Sequence, residues 1–251
     1  MDRSELAAAS DANFVATISL IADIAEAGFN RAFGSIRVAA TRVPVRFFNA
    51  VFVTDPLADR VDDLRQAVEL MRTERLPFVV HVRSDLAREI EAARALGLGG
   101  DEMLPCFAME PADIPSPPAE LSIARVEAAT FEPFMAAMVA GFDLPVDLAA
   151  TLFPPRIIEL PALRGYLGSV DGTPMATAMS TRTGDTVGVY SVATLPEARG
   201  RGYGTALTWA TLADADPGVR AVVLQSSDMG RSVYEGMGFR QVREFLELVD
   251  A

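Results

Sequence analysis

Apolar residues recur along this chain at two periods, and the change of period marks out its elements. In the C-terminal half, Leu121–Val126 reads as a short strand. Thr130–Gly141 reads as a helix with Phe131, Phe134, Met135 and Met138 on one side. A second helical stretch lies near Val146–Leu152. Arg164–Val170 and Met175–Thr181 alternate as strands around Asp171-Gly172, a hairpin signal. Gly184-Asp185 turns the chain into a third strand, Val187–Ala193. The pattern then predicts a helix over Thr205–Ala215, stopped by Asp216-Pro217-Gly218. A buried-type strand Ala221–Gln225, a helix Met229–Met237 and a strand Phe239–Leu248 complete this half.

The N-terminal half ends in the same order. Ala50–Thr54, a helix Asp59–Arg72, the apolar strand Phe78–Val82, a helix Asp85–Leu96 and the strand-like Met103–Met109 follow one another. Both halves read strand, Ser-Asp, helix, then apolar-Gly-apolar: Leu96-Gly97-Leu98 against Met237-Gly238-Phe239. The chain therefore reads as two degenerate copies of one α/β unit. Between them, Pro111, Pro115, Pro117 and Pro118 resist helix and sheet alike. The expected domains are 1–113 and 119–251.

Composition narrows the classes. Of 251 residues, half are hydrophobic and 22% charged, which is globular. The apolar stretch Phe14–Ile24 contains Asp23 and has neither a basic region before it nor a small-residue cleavage site after it, so it reads as an amphipathic helix. No run of about 18 uncharged apolar residues occurs, so no membrane span is expected. One cysteine, Cys106, forbids an intrachain disulfide, and the cytoplasm is the expected compartment. A net charge of −12 opposes nucleic acid and favours cationic amines, besides aiding solubility. One histidine, His81, and one cysteine cannot make a zinc cluster, so no metal is expected.

The segment with chemistry in it runs from Val192-Ala193-Thr194 to Arg199-Gly200-Arg201-Gly202-Tyr203-Gly204-Thr205. A strand enters, and glycines then open a helix. The first turn of a helix offers unpaired backbone N–H groups and a partial positive charge, so such a turn suits a phosphate or pyrophosphate. Arg199 and Arg201 add charged donors. A Walker loop is excluded, because no Lys followed by Ser or Thr comes after the last glycine. The spacing Gly200-x-Gly202-x-Gly204 also fails the dinucleotide fingerprint. Arg199-x-x-Gly202-x-Gly204 resembles instead the acyl-CoA pyrophosphate loop of the GNAT superfamily (GCN5-related N-acetyltransferases). A solvated glycine-rich cap remains the plain reading of the same residues.

"LQSSDMGRSVYEGMGF" is similar to that family's fifth strand and following helix, with Tyr234 before Gly238-Phe239. The resemblance covers about residues 120–250 in order. It implies a mixed α/β (α+β) sheet with the GNAT acyl-CoA N-acyltransferase fold and, with the halves read as two copies, two tandem GNAT-like units of which the N-terminal is degenerate. It further implies that the backbone of Val192, Ala193 and Thr194 pairs with a pantetheine arm and steadies an oxyanion. The loop from Arg199 to Thr205 would hold the pyrophosphate. Tyr234 would be the catalytic acid: a phenol, with a pKa near 10, is protonated at neutral pH and can give its proton to a departing thiolate. A core tyrosine is the alternative. Ser227 stands where many members carry Asn, and its hydroxyl can still bond a pantetheine amide. No general base declares itself among Glu197, Asp171 and His81.

In the N-terminal copy the equivalent loop, Asp55 to Asp63, has no glycine and four aspartates, and Ala92 and Ala93 stand near the tyrosine position. This half is expected to be structural and not to bind CoA. The chain as a whole reads as an N-acetyltransferase taking acetyl-CoA (acyl-CoA) as co-substrate and a small-molecule or peptide amine as acceptor. A non-catalytic CoA-binding or regulatory protein is the rival. A homodimer is left open.

Overall fold

The computed structural model describes residues 1–213 and 218–250. In chain order, α1 (Arg3–Ile24) precedes a hairpin of β1 (Phe29–Phe33) and β2 (Ile36–Ala40). Next come β3 (Asn49–Val53), α2 (Val61–Glu74), β4 (Val79–Arg83), α3 (Ala87–Ala95) and β5 (Leu98–Met109). The second half holds β6 (Ser122–Arg125), α4 (Phe131–Phe142), α5 (Val146–Leu152), β7 (Leu163–Val170), β8 (Thr173–Thr183) and β9 (Thr186–Thr194). It ends with α6 (Tyr203–Ala213), β10 (Ala221–Gln225), α7 (Asp228–Gly236) and β11 (Arg240–Asp250). The helix stop at Asp216-Pro217 lies outside the described residues.

These elements group into two compact units. One comprises Met1–Asn13 with Phe107–Arg240, the other Phe14–Cys106 with Gln241–Ala251. They are drawn differently from the stretches 1–113 and 119–251 read from the sequence. The physical reason is strand pairing: β11, from the C-terminal half, pairs antiparallel with β4, Phe245 opposite Arg83 and Val249 opposite Val79.

In the unit of residues 14–106 and 241–251, β1, β2 and β3 are antiparallel neighbours, and β3 runs parallel to β4. α2 lays Leu64, Val68 and Met71 on this sheet, one helical face, against Val51, Val53, Val80, Val82, Leu246 and Leu248. Each such side chain contributes about 1.5–3 kcal/mol on burial. The other face carries Phe14 of α1, Phe47, Phe52 and Phe245, which ring His81 at centroid distances of 5.2–6.0 Å. α1 has the length and composition of a membrane-crossing helix. Its Phe14, Ile18, Ile21 and Ala22 are buried within the protein.

His81 is fully buried, and among the described residues neither ring nitrogen has a hydrogen-bond partner. Burial holds its pKa down at about 3. The acidic group facing it is Glu247, 3.5 Å away, whose own pKa burial raises. Above pH ~6.5 both folded and unfolded His81 are neutral. Below that the unfolded chain takes a proton that the folded one refuses, so stability falls by ~1.4 kcal/mol per pH unit down to the folded value. Glu247 acts in the opposite sense, since lowering the pH through its raised pKa relieves a buried charge. Urea unfolding followed at pH 7 and pH 5 should show a loss of about 2 kcal/mol attributable to His81. In His81→Phe that share of the loss should vanish. An equal pH dependence in the two proteins would contradict the assignment.

In the unit of residues 1–13 and 107–240 the strands run β10-β9-β8-β7-β6, with Phe107–Met109 of β5 beside β10. The neighbours from β6 to β9 are antiparallel, and β9 to β10 is parallel. The β7–β8 turn is Asp171-Gly172, both with positive φ (49° and 76°), as a two-residue hairpin of matching twist requires. Tyr166, Ala176, Ala178 and Leu207 form a core on the α6 side. On the other side, the Phe134 ring of α4 lies over Gly165.

Candidate active site

β9 alternates as a strand should. Val189 enters a cluster with Trp209 and Leu212 of α6 and with Val222 and Leu224 of β10. The intervening Gly188 and Tyr190 meet Asn13 of α1. The register of β9 with β10 runs from Thr186 opposite Ala221 to Gly188 opposite Val223, while β9 continues to Thr194. Just beyond, Ser191 has φ 49°, and the β8–β9 register shifts between Thr177 and Met179. Thr177 Oγ1 donates to the Ser191 carbonyl at 3.2 Å. This is a bulge: it bends the strand and increases its twist a few residues past the end of the parallel register. The backbone of Val192, Ala193 and Thr194 follows it directly.

The chain then makes a short 3-10 turn, Pro196–Ala198, and reaches the glycines. Gly200 and Gly202 have φ of 76° and 80°, which side chains with a Cβ rarely adopt, and a Cβ on either would meet nothing within 4 Å. The loop thus presents bare backbone to open space. The amides of Tyr203, Gly204 and Thr205 form the first turn of α6, which has no intrahelical acceptor for them. The Tyr203 side chain is fully buried, its hydroxyl 3.1 Å from Glu120 Oε1, so only its backbone can face a ligand. Gly204 lies beside Thr194 Oγ1. Arg199 turns inward along the backbone: Nε donates to the Thr194 carbonyl (3.3 Å) and Nη2 to the Gly141 carbonyl (3.2 Å). It therefore ties the loop to the strand end and to the last turn of α4. Arg201 and Gly202 are exposed.

Ser227 is the N-cap of α7; it is exposed, its carbonyl accepts from the amides of Gly230 and Arg231, and its side chain makes no cap bond. Tyr234, on the second turn of α7, is half-buried. Its ring lies over Gly230 beside Ser226 Oγ, and meets Phe239 edge-on at 5.9 Å. Burial pushes the phenol pKa above its ordinary value, so the hydroxyl is protonated throughout the neutral range. Tyr234 and Val192 pack against the same cluster. The structure thus brings together the strand end, the glycine turn and, across one patch of core, the tyrosine. Sequence reasoning missed Ser191, Thr177 and Gly141, none of which stands in a motif.

A separate cleft of about 760 Å³ lies between α4, α5 and residues 155–159, lined by Phe131, Met135, Val139, Val146, Phe153 and Ile158. It uses the flank of α4 opposite the buried Phe134, Ala137 and Met138.

The corresponding loop of the N-terminal half is built otherwise. The Leu57 amide donates to Glu89 Oε1 at 2.9 Å, and both residues are buried. A carboxylate of the chain itself occupies an amide that precedes α2. β3 is also paired with β4 from Ala50–Val79 to Val53–Val82, its whole length save one residue, with no bulge.

Residues 136–239 match the sequence model of the Acetyltransferase (GNAT) family. No curated protein matches the chain. Among solved structures, the chain is similar to a GCN5-related N-acetyltransferase from Kribbella flavida, with TM-score 0.73 and 20% identity over 96% of this chain and 95% of that one. It is also similar to a GCN5-related N-acetyltransferase from Sphaerobacter thermophilus (TM-score 0.64, 14% identity, 86% of this chain and 76% of that one). A third is a tandem GNAT protein from the clavulanic acid biosynthesis pathway (TM-score 0.63, 16% identity, 96% and 94%). At these identities the structures speak for the fold alone, and the family match speaks for acyl transfer in general. Residues 136–239 are a domain of the GNAT acetyltransferase family, in a mixed α/β chain that has the fold of GCN5-related N-acetyltransferases.

Proposed function

We propose that this chain is an acyl-CoA-dependent N-acetyltransferase with one working site, in a tandem arrangement whose N-terminal half is structural. The observation that carries the reading is the coincidence of three features. β9 bulges at Ser191, three residues past the last one paired with β10, the next loop opens α6 on bare glycine backbone, and Tyr234 packs on the cluster that Val192 joins. Acetyl-CoA would supply the activated thioester. Val192, Ala193 and Thr194 offer strand-end backbone to an amide-bearing arm, and Ser227 a hydroxyl. The amides of Tyr203, Gly204 and Thr205, with Gly200, Gly202 and Arg201, offer donors and positive charge to a pyrophosphate. Arg199 holds that loop in place. Tyr234 gives its proton to the departing sulfur, and orientation supplies much of the rate. The acceptor is a primary amine, small molecule or peptide. The net charge of −12 favours such a cation and disfavours nucleic acid. We assign the protein to the cytoplasm by default; its single cysteine, Cys106, a fully buried thiol, is compatible with a reducing compartment.

The test is release of CoA thiol from acetyl-CoA in the presence of phenethylamine, spermidine, glucosamine or glycinamide. Release that saturates in both acetyl-CoA and one of these amines is the expected result. Saturable acetyl-CoA binding with no amine-dependent release would favour the regulatory, CoA-binding reading.

A further inference from the structure

We infer that Thr177 is a positioning residue for the donor-binding strand end: its hydroxyl pins the bulge at Ser191 and so sets which backbone groups of Val192, Ala193 and Thr194 meet the acyl-CoA arm. The inference rests on the acyl-transfer reading above and names the side chain that shapes that reading's central element.

The backbone at Ser191 is unusual for its place. Of the six non-glycine residues with positive φ among those described, five lie in loops, a hairpin turn or helix caps, and Ser191, at 49°, is the one inside a strand. A Cβ disfavours that conformation, so surrounding contacts must hold it.

Register is the first constraint. Tyr190 stands opposite Met179 and Ala193 opposite Thr177, so Ser191 and Val192 share the single Ala178. Two residues against one break the alternation of faces. Val189 and Val192, three residues apart, point to the same side, into the cluster with Trp209 and Phe239. Ala193 points to the other, where a Cβ on Gly141 of α4 would stand 2.7 Å from the Ala193 Cβ. Regular alternation from Val189 would put Ala193 on the first side and Val192 on the second. The amides and carbonyls of a strand alternate as its side chains do, so the bulge also decides which of them turn toward β8 and which away.

Thr177 is the second constraint. It is fully buried, and its Oγ1 donates to the Ser191 carbonyl at 3.2 Å. That carbonyl belongs to the residue with the positive φ, and the donor belongs to the residue that pairs with Ala193 just past the bulge. From there the ladder continues, Ala176 opposite Thr194 and the Leu195 amide donating to the Met175 carbonyl at 2.9 Å. The Thr194 carbonyl so placed is the one to which Arg199 Nε donates. One hydroxyl thus closes the bulge from the side of β8 and delivers the strand end to the glycine loop in a fixed register.

The test measures acetyl-CoA affinity by calorimetry, below the melting temperature, in wild type, Thr177→Val, Thr177→Ser, Ser191→Val and the double variant Thr177→Val/Ser191→Gly. Valine keeps the branched shape of threonine and removes the donor, so Thr177→Val should weaken binding about fivefold to tenfold. Thr177→Ser keeps the hydroxyl and should bind within about twofold of wild type. Glycine takes a positive φ without strain, so adding Ser191→Gly to Thr177→Val should restore most of the affinity. Ser191→Val opposes the bulge from its own residue, at a half-buried position, and should weaken binding by a similar factor, which carries the test even where Thr177→Val does not fold. Wild-type affinity in Thr177→Val or in Ser191→Val overturns the inference. So does a loss that Thr177→Ser shares or that Ser191→Gly fails to restore, since packing alone would then account for it. Gly202→Asp, which sets a carboxylate in the pyrophosphate loop, keeps this inference apart from the reading beneath it. Where wild type binds acetyl-CoA and Gly202→Asp does not, the loop assignment stands whatever Thr177 does. Wild type that binds no acetyl-CoA overturns the acyl-CoA reading and this inference with it.

Discussion

Tyr234→Phe should lower kcat about 100- to 1,000-fold while acetyl-CoA still binds as it does to wild type. The size follows from what the hydroxyl does. Thiolate expulsion is assisted by a proton only if a donor stands ready at neutral pH, and burial raises the Tyr234 pKa in the direction that keeps it protonated. The ring itself has a second task. It packs over Gly230, against Phe239 and onto the cluster that contains Val189, Trp209 and Leu224. Phenylalanine preserves that packing, so the melting temperature should move little. Steady-state kinetics with acetyl-CoA and the best amine, set beside a thermal melt, separate the two roles. A kcat within about threefold of wild type would make Tyr234 a core residue and leave proton delivery to water.

Gly202→Asp should weaken acetyl-CoA binding by about 100-fold or more, ~2.7 kcal/mol. Two effects combine. A Cβ at φ 80° strains the turn, and a carboxylate then stands among the amides offered to the pyrophosphate, where like charge repels. The control is Gly172→Ala, which puts a Cβ at a comparable φ of 76° in the β7–β8 hairpin, with nothing within 4 Å. It shares the backbone strain and not the charge or the place, so it should cost some stability and leave binding intact.

The local elements of the C-terminal half were legible because their punctuation is local. Asp171-Gly172 and Gly184 mark turns by their need for positive φ, and β10 and α5 fall on the predicted residues. What the sequence conceals is nonlocal or without period. α1 starts at Arg3, well before the apolar stretch, because its first half buries Ser10, Asp11 and Asn13, which break any apolar repeat. β1 and β2 escaped notice because each has five residues, and Arg31 and Arg37 interrupt their apolar runs with exposed charge. The pairing of β11 with β4 is a choice of partner, on which alternation within a strand is silent. The candidate site divides along the same line. The glycine turn and Tyr234 stand in short motifs. Thr177 and Ser191 lie 14 residues apart on two strands, and only the register of β8 with β9 brings them together. Arg199 was legible as a charge near the loop, but its use of the Thr194 and Gly141 carbonyls needed coordinates.

The measurement that bears most directly on the central claim is calorimetric titration of acetyl-CoA into the wild-type chain and into Gly202→Asp, with Gly172→Ala alongside. Saturable binding by wild type and Gly172→Ala, lost in Gly202→Asp, is the result this account predicts. No binding to the folded wild type, or equal binding to all three, would contradict it.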